Sequence, residues 1–393
     1  MNKLKINVEQ KNIAILGSTG SIGCQTLDVI SQYPNMFRAK ILVAGSRVDD
    51  LISQAIKHRP QYAIIADENK YAKLRDALAP YGIKTASGQD AINDAMESDI
   101  FDTVVTATVG YSGLAPTLRA IKAGKKIALA NKETLVVAGD IVTKALAESK
   151  SELLPIDSEH SAIYQCLVGE DRNTIRKIII TASGGPFRTF TKEQIANATL
   201  SDALHHPNWS MGKKITIDSA TMLNKAFEII EARWLFDVKP EQITAIVHPQ
   251  SIVHSMVEFN DGAVKAQLGV PDMRLPIRYA LGETVRLTTC DSPLSFIQYP
   301  TLTFEQPDED RFPCITLGKY ALEQGGNTAC VINAANEIAV KAFLEEKIKF
   351  TDIYSTIMQT LEKTTRIDSP TYEDYVASNS EARNIAEEIT NKI

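Results

Sequence analysis

The sequence predicts an α/β protein: a doubly wound parallel sheet, then a smaller α+β region and a C-terminal helical bundle. Three observations support this. Short apolar runs alternate with amphipathic segments through roughly the first 150 residues, a glycine-rich turn follows the first run, and the chain ends in amphipathic helical patterns. A chain of 393 residues is too long for one compact core, so we expect two or three domains.

Composition excludes several classes of partner. The net charge is −6 without basic blocks, which argues against nucleic acid and anionic membrane as partners. The five cysteines are scattered without a CxxC pair, as expected for reduced thiols in a cytosol. The first ten residues lack a signal-peptide pattern, and no segment is apolar for long enough to cross a bilayer. We therefore expect a soluble cytoplasmic protein.

The first predicted strand, residues 12–16, runs directly into Gly-Ser-Thr-Gly-Ser-Ile-Gly at 17–23, and a helix is predicted over 26–31. Strand, glycine turn and helix in this order place backbone amides where a pyrophosphate binds, as in a Rossmann-like domain. The spacing differs from the usual G-x-G-x-x-G, so a tight structural turn is the alternative reading.

The second predicted strand, residues 39–44, ends at Gly45, Ser46 and Arg47. A fold that selects NAD usually has an acidic residue here, whereas an arginine suits the 2′-phosphate of NADP. The pattern favours NADP, although Asp49 and Asp50 follow closely enough to compete for that role.

Further elements continue the alternation. They are strands over 63–66, 84–86, 103–106 and 127–130, and helices over 69–78, 114–123 and 134–147. Asn131, Lys132 and Glu133 follow the last of these strands, at the sheet edge where ligands bind. Lys132 is therefore a candidate site residue; a solvated turn lysine is the alternative.

Two carboxylates, Asp157 and Glu159, follow the apolar run 153–156 one residue apart. Such close acids repel unless a cation or a proton lies between them. Oxygen-only ligands suit Mg²⁺ or Mn²⁺. The alternative is that Asp-Ser-Glu simply caps a helix.

Two loops in the middle of the chain are candidate ligand contacts. Strand 177–181 leads to Ser183-Gly-Gly-Pro, which either cradles an anion or makes a plain turn. Residues 205–212 contain His206 and Trp209 in a segment that proline and glycine keep irregular. This loop either closes over a ligand or is pinned to a core by Trp209.

A helix is predicted from Asp218 through Trp234. Ser219 would lie near its N-cap, where free amides and the helix dipole favour a phosphate. Asn224, Lys225 and Glu228 share one face, so that Glu228 could complete a site with the two earlier acids. A solvent-facing Lys–Glu pair has the same spacing.

The remaining chain is predicted to form a hairpin, a linker and helices. Strands 252–259 and 263–268 flank an Asn-Asp-Gly turn in a second, smaller sheet. An irregular, proline-rich stretch follows over 292–313. The C-terminal helices are predicted over 316–324, 328–346, 352–362 and 380–390.

Taken together, the motifs resemble the 1-deoxy-D-xylulose 5-phosphate reductoisomerase family. Those that carry the resemblance are 17–23, 131–133, 154–160, 183–187, 206–212, 218–225 and His248-Pro-Gln-Ser251. The resemblance implies an NADPH-binding domain (1–156), a catalytic domain with a probable dimer contact (157–290), a linker (291–313) and a helical bundle (314–393). It also implies a homodimer that converts the sugar phosphate to 2-C-methyl-D-erythritol 4-phosphate in the non-mevalonate isoprenoid pathway.

The resemblance also assigns site residues. A divalent cation, Mg²⁺ or Mn²⁺ with Co²⁺ as a further option, would bind Asp157, Glu159 and Glu228, and these acids would act in catalysis together with Lys132. Substrate would contact Lys132, Ser158, Glu159, Ser183, His206, Trp209, Ser219, Asn224, Lys225 and Glu228. NADPH would contact Thr19, Gly20, Ser21, Ile22, Gly45, Ser46, Arg47, Asn131, Glu133 and Gly212. At Ser46-Arg47 the chain departs from the lysine and asparagine of its relatives, and Arg47 supplies the cation one position later.

Two rival functions account for part of the pattern. A semialdehyde dehydrogenase with the same cofactor fold would need a nucleophilic cysteine with a base, and no cysteine here has such a sequence context. A non-catalytic NADP-sensing module would leave the acids and the 205–212 loop without a role.

Overall fold

The computed structural model describes residues 10–209, 211–283, 285–289, 291 and 293–393. They divide into two compact units. The first contains the described residues up to Asn131 together with Ala145–Ile156 and Met273–Leu287, and the second contains Lys132–Lys144, Asp157–Asp272 and Thr288–Ile393. The predicted division into four segments stays a prediction.

The described residues form strands β1 (Lys11–Leu16), β2 (Phe37–Ala44), β3 (Tyr62–Ile65), β4 (Lys84–Ser87), β5 (Thr103–Thr106), β6 (Lys126–Leu129), β7 (Leu153–Pro155), β8 (Ile175–Ala182), β9 (Ile243–Val247), β10 (Val253–Phe259) and β11 (Val264–Leu268). They form helices α1 (Ser21–Gln32), α2 (Val48–His58), α3 (Tyr71–Leu78), α4 (Gly88–Ala95), α5 (Leu114–Lys122), α6 (Glu133–Ala147), α7 (Ser158–Cys166), α8 (Lys192–Ala196), α9 (Leu200–Leu204), α10 (Lys213–Ala220), α11 (Leu223–Phe236), α12 (Arg274–Leu281), α13 (Thr316–Gln324), α14 (Thr328–Leu344), α15 (Asp352–Lys363) and α16 (Tyr372–Thr390). Among the residues that the structure covers, no helix combines the length and apolarity needed to cross a membrane.

The first unit contains a seven-stranded sheet in the order β4-β3-β2-β1-β5-β6-β7. Every adjacent pair is parallel. The residues of β1 from Ile13 to Leu16 are fully buried, as expected for a parallel strand covered on both faces. The strand order reverses between β1 and β5, which is the topological switch point where such sheets bind ligands. The predicted doubly wound fold is confirmed.

The glycine turn at the end of β1 is shaped by close backbone approach. Gly17 has φ +82°, and a Cβ there would lie 2.4 Å from the carbonyl oxygen of Ala107. A Cβ on Gly23 would lie 2.3 Å from the carbonyl oxygen of Gly17. Only glycine fits at these two positions, so the turn can lie directly against the first turn of α1.

The second unit contains a four-stranded sheet in the order β11-β10-β8-β9. The predicted hairpin is the antiparallel pair β10–β11, β10 also pairs antiparallel with β8, and β8 pairs parallel with β9. Apolar side chains of this sheet, of α7 and of α11 form one core, which includes Ile163, Ile178, Ile229, Phe236 and Val257. This core holds α7 and α11 against the sheet.

A second core in this unit joins the central segment to the C-terminal helices. It includes Phe187, Phe227, Ile332, Phe343 and Phe350. Since these side chains belong to one continuous cluster, the C-terminal helices share an interior with α11, and α14 and α16 form a further small cluster with Val331, Ala334 and Ala382.

One predicted helix is wrong in its bounds. The segment from Asp218 to Trp234 is not continuous, because α10 ends at Ala220 and α11 begins at Leu223. Between them Met222 has φ +62° and is buried. Ser219 therefore lies in the last turn of α10 and not at an N-cap, so its predicted helix-dipole contribution is also wrong. The helix breaks at the buried residue Met222 although the sequence has no glycine or proline at this point.

Candidate active site

Three carboxylates from two helices converge in the second unit. Asp157 caps α7, Glu159 lies in its first turn, and Glu228 lies in the middle of α11. One oxygen from each carboxylate lies within 4.8 Å of the others. The predicted trio is thus brought together although Glu228 is far away in the chain.

The sequence left two roles open for Asp157, a helix cap and a member of the acidic site, and its two oxygens are placed for one role each. Its Oδ1 accepts a hydrogen bond of 3.1 Å from the backbone amide of Glu159, which caps α7. Its Oδ2 accepts one of 2.6 Å from the ammonium group of Lys132. Capping therefore fixes the carboxylate while leaving its second oxygen to face the other site groups.

Two buried lysines offset part of the negative charge of the trio. Lys132 also donates to Glu228 at 3.0 Å, and Lys225 donates to Glu159 at 2.9 Å and to Glu228. Burial lowers the pKa of each lysine, but the carboxylates around it outweigh that effect and raise the pKa above its ordinary value. Three acids and two ammonium groups leave one net negative charge in a buried site, which favours binding of a cation.

The surroundings shift the pKa values of Asp157 and Glu228 in opposite directions. Burial raises the pKa of Asp157, but Lys132 and His160 outweigh it and hold the pKa well below its usual range. Burial and the neighbouring Glu159 raise the pKa of Glu228. Asn224 donates to Glu228 at 2.5 Å, and the hydroxyl of Ser158 donates to Glu159. The predicted residues of the α7 and α11 faces therefore form one network.

Ser183 and His206, both predicted substrate contacts, lie side by side. Ser183 Oγ and His206 Nε2 are 3.0 Å apart. The backbone amide of Trp209 donates to His206 Nδ1 at 3.0 Å, so Nε2 carries the proton of a neutral ring. Burial lowers the pKa of His206 to about 4, in agreement with a neutral imidazole.

Ser219 lies beside the Ser183 turn. A Cβ on Gly185, which has φ +69°, would lie 2.6 Å from the carbonyl oxygen of Ser219. The turn 183–185 can pass this close to α10 only because position 185 is glycine. Ser183 and Ser219 are therefore brought together by a backbone contact.

Asn208 anchors the 205–212 loop to the segment 249–251. Asn208 donates to the carbonyl oxygen of Pro249 at 2.6 Å and to Ser251 Oγ at 3.0 Å. The ring of Trp209 lies 6.1 Å from that of His254, centroid to centroid. Asn208 therefore joins His206 and Trp209 in holding the loop, a role for Asn208 that the sequence did not indicate. Ser210 lies outside the described residues.

The predicted NADPH residues of the first unit surround the glycine turn. Thr19 and Gly20 lead into α1, and Ser21 and Ile22 form its first residues. Gly45 and Ser46 follow β2, and the half-exposed guanidinium of Arg47 donates to the carbonyl oxygen of Thr19. Of the two competing acids, Asp49 is paired with Lys73 at 2.6 Å, and Asp50 lies 3.6 Å from the guanidinium of Arg47 itself.

The other three predicted NADPH residues make hydrogen bonds within the protein or cap a helix. Asn131 is buried, and its side-chain amide donates to the carbonyl oxygens of Thr108 and Gly110, each at 3.0 Å. The carboxylate of Glu133 accepts from Lys214 at 2.7 Å. Gly212 is the last residue of the 205–212 loop and the N-cap residue of α10.

Sequence reasoning missed two buried groups of polar residues. His160 and Glu231 join Asp157 in a cluster whose ligand atoms lie within 4.8 Å of one another. Lys214 pairs with Asp218 at 2.7 Å, and Asn336 donates to Asp218 at 2.9 Å. The first group could have been predicted from the i,i+3 spacings of residues 157 and 160 and of residues 228 and 231, because residues three apart share a helix face.

The four cysteines that the structure describes give no support to the dehydrogenase rival. Burial raises the pKa of the Cys166 thiol to about 11 and the pKa values of Cys314 and Cys330 to about 12. A nucleophilic cysteine needs the opposite shift. The thiol of Cys24 contacts the backbone carbonyl oxygens of Ser18 and Thr19 rather than a base.

The doubly wound sheet with its glycine turn, together with the buried acids and lysines, defines a nucleotide-dependent α/β enzyme with a candidate metal centre. The family model described as 1-deoxy-D-xylulose 5-phosphate reductoisomerase matches residues 13–139, and two models of C-terminal domains of that enzyme match residues 153–236 and 268–385. The chain belongs to the 1-deoxy-D-xylulose 5-phosphate reductoisomerase family. The resemblance found in the sequence and the predicted enzyme class are confirmed.

Relatives and solved structures of this family match nearly the whole length of this chain. The reductoisomerase of Bacteroides thetaiotaomicron is 54% identical over 381 residues, covering 97% of this chain and 98% of the relative. That of Porphyromonas gingivalis is 51% identical, covering 98% and 99%. The structure of the Zymomonas mobilis enzyme in complex with NADPH matches with TM-score 0.91 and 43% identity, covering 98% of this chain and 100% of that one. A structure in complex with NADPH, fosmidomycin and magnesium matches with TM-score 0.91 and 42% identity, covering 97% and 98%.

Proposed function

We propose that the chain catalyses the NADPH- and divalent-metal-dependent conversion of 1-deoxy-D-xylulose 5-phosphate to 2-C-methyl-D-erythritol 4-phosphate in isoprenoid biosynthesis. The single observation that carries the assignment of the site is the convergence of Asp157, Glu159 and Glu228 within 4.8 Å. The rest of the proposal assigns roles to the groups around this trio.

The three carboxylates fit a divalent cation. They are oxygen donors only, they come from two helices held by one core, and with their two lysines they carry one excess negative charge. A divalent cation held by them would polarise the substrate carbonyl and acidify the adjacent hydroxyl. Asp157, whose pKa is held low, is ionised and ready to bind at neutral pH.

Lys132 and Lys225 supply positive charge at opposite sides of the trio. Lys132 lies between Asp157 and Glu228, and Lys225 lies between Glu159 and Glu228. We assign Lys132 to the reacting carbons, where it orients the substrate and stabilises developing negative charge. Lys225 serves the phosphate end.

The substrate phosphate is assigned to Ser183, His206, Ser219, Asn224 and Lys225. Ser183 and neutral His206 offer a hydroxyl and a ring N–H side by side, and the 183–185 turn lies against Ser219. An anchored phosphate holds the reacting fragments in place while the carbon skeleton rearranges. The 205–212 loop with Trp209 is assigned to covering the substrate and excluding water.

NADPH is assigned to the glycine turn and to Arg47, with Asn131, Glu133 and Gly212 as further contacts. NADPH supplies the hydride for the reduction step. The start of α1 offers backbone amides and the positive end of its dipole to the pyrophosphate. The exposed guanidinium of Arg47 offers charge to the 2′-phosphate.

We also propose a homodimer in the cytoplasm. Strand β11 is an edge strand whose residues Val264, Lys265 and Ala266 are exposed, and such an edge invites pairing with a second chain. The four cysteines within the described residues are all free thiols, which suits a reducing compartment. Light scattering on the purified chain tests the dimer.

The activity is tested by following NADPH oxidation with 1-deoxy-D-xylulose 5-phosphate, with and without Mg²⁺ or Mn²⁺. We expect turnover that chelator removes and added metal restores. Oxidation that continues undiminished after complete chelation would reject the assignment of the trio.

A further inference from the structure

His160 touches both helices that carry the acidic trio. Its Nδ1 lies 2.9 Å from Asp157 Oδ1, and its Nε2 lies 3.0 Å from the backbone carbonyl oxygen of Glu228. The imidazole lies parallel to the ring of Phe236, with centroids 6.2 Å apart. Since His160 is fully buried, these contacts fix the ring in one orientation.

Glu231 is the second carboxylate at this ring. It lies one turn after Glu228 on α11, it is fully buried, and its Oε2 is 3.3 Å from His160 Nδ1. Neither of its oxygens has a hydrogen-bond partner among the described residues. Burying a carboxyl group costs free energy unless a nearby group compensates it, so we expect Glu231 to have a structural role beside the imidazole.

The acceptors around the ring determine its protons. A backbone carbonyl oxygen only accepts, so Nε2 donates to Glu228. Two carboxylate oxygens face Nδ1, so Nδ1 donates as well. The ring is therefore held as a donor on both sides, and the carboxyl groups of Asp157 and Glu231 both lie beside Nδ1.

We propose that Glu231, acting through His160, is a positioning residue for the metal-binding carboxylates, an inference that rests on the proposed function of the acidic trio. His160 holds Oδ1 of Asp157, so Oδ2 keeps facing Lys132 and the other acids. The same ring holds the backbone of Glu228. One side chain thus fixes the distance between α7 and the turn of α11 that bears the third acid.

Outer groups of this kind orient metal ligands, and their loss typically weakens metal binding about 10- to 100-fold. The test uses the full chain, freed of metal, and titrates it with Mn²⁺ while the electron paramagnetic resonance signal of free Mn²⁺ reports binding. We expect Glu231→Gln to weaken Mn²⁺ binding by about tenfold or more. Unchanged Mn²⁺ affinity in a folded Glu231→Gln protein would overturn the proposal.

Two further variants make the test specific. Glu231→Asp keeps the carboxyl group, so we expect it to retain more Mn²⁺ affinity than Glu231→Gln, and it serves if Glu231→Gln does not fold. Glu337→Gln is the matched control, because Glu337 is a partly buried helical glutamate of α14 whose carboxylate accepts from Arg383 and Asn333. Equal loss in Glu337→Gln would mean that general destabilisation, and not positioning, causes the effect.

A double-mutant cycle with His160→Gln decides whether Glu231 acts through the ring. We expect the losses of Mn²⁺ affinity from Glu231→Gln and His160→Gln to be non-additive, and additive losses would contradict the proposal. The parent chain separates this inference from the proposed function. If the parent itself binds no Mn²⁺, the metal site fails, whereas parent binding with unaffected variants defeats only the positioning role.

Discussion

The ammonium nitrogen of Lys132 lies 2.6 Å from Oδ2 of Asp157, and both side chains are buried. This lysine begins the Lys132–Lys144 segment of the second unit, and the aspartate caps α7. A lysine in this position compensates the acids when no cation is bound. Its removal therefore has consequences for both stability and catalysis.

We expect Lys132→Gln to destabilise the metal-free chain by about 3–5 kcal/mol, because Asp157 and Glu228 lose their buried countercharge. Urea unfolding of both proteins measures the loss. Added Mn²⁺ should stabilise the variant more than the parent, since the cation replaces the missing charge. An equal stabilisation of both proteins would show that the lysine does not compensate the metal-binding acids.

Glu228→Gln is expected to retain NADPH affinity and to lose turnover by at least about 100-fold, equivalent to ~2.7 kcal/mol in the barrier. The reason is that glutamine keeps the size of the side chain but removes one metal-binding charge. Steady-state kinetics and NADPH titration separate the two effects. Glu241→Gln, at an exposed position, is the control, and undiminished turnover in Glu228→Gln would remove this residue from the site.

Stability should fall as the pH is lowered, and part of this fall should depend on His206. Its pKa is about 4 in the folded chain and about 6.5 when unfolded, so the unfolded chain binds the extra proton first. Unfolding free energy therefore rises with pH between these values and is lost as pH falls from about 6.5 to 4. His206→Gln should flatten this part of the profile, while exposed His205→Gln leaves it as in the parent. Identical profiles for His206→Gln and the parent would contradict the burial effect.

Arg47→Ala should weaken NADPH binding about 10- to 100-fold while NADH binding changes little, because a charge-assisted contact to the 2′-phosphate contributes ~1.5–3 kcal/mol. Fluorescence titration with the two nucleotides measures the difference. Arg75→Ala removes another exposed arginine of the first unit and should affect neither nucleotide. A parallel loss for NADH would assign Arg47 to the fold rather than to selectivity.

Local sequence patterns predicted most elements of the parallel sheet, because buried strands and glycine turns depend on neighbouring residues. Strand β5 has the predicted bounds, and helix α5 is within one residue of them. The break at Met222 was not predictable in this way. It depends on how α10 and α11 pack, and the residues around it carry no turn signal.

The sequence by itself determined the fold class, the glycine turn and the family, because these follow from residue types and from short motifs along the chain, and its resemblance to the family named the three acids as candidates. Only the tertiary structure decided which charges meet. Lys225 lies among the acids, Asn208 pins the loop, and His160 with Glu231 supports Asp157. These contacts join residues far apart in the chain, and their distances follow from helix packing and burial rather than from any local pattern.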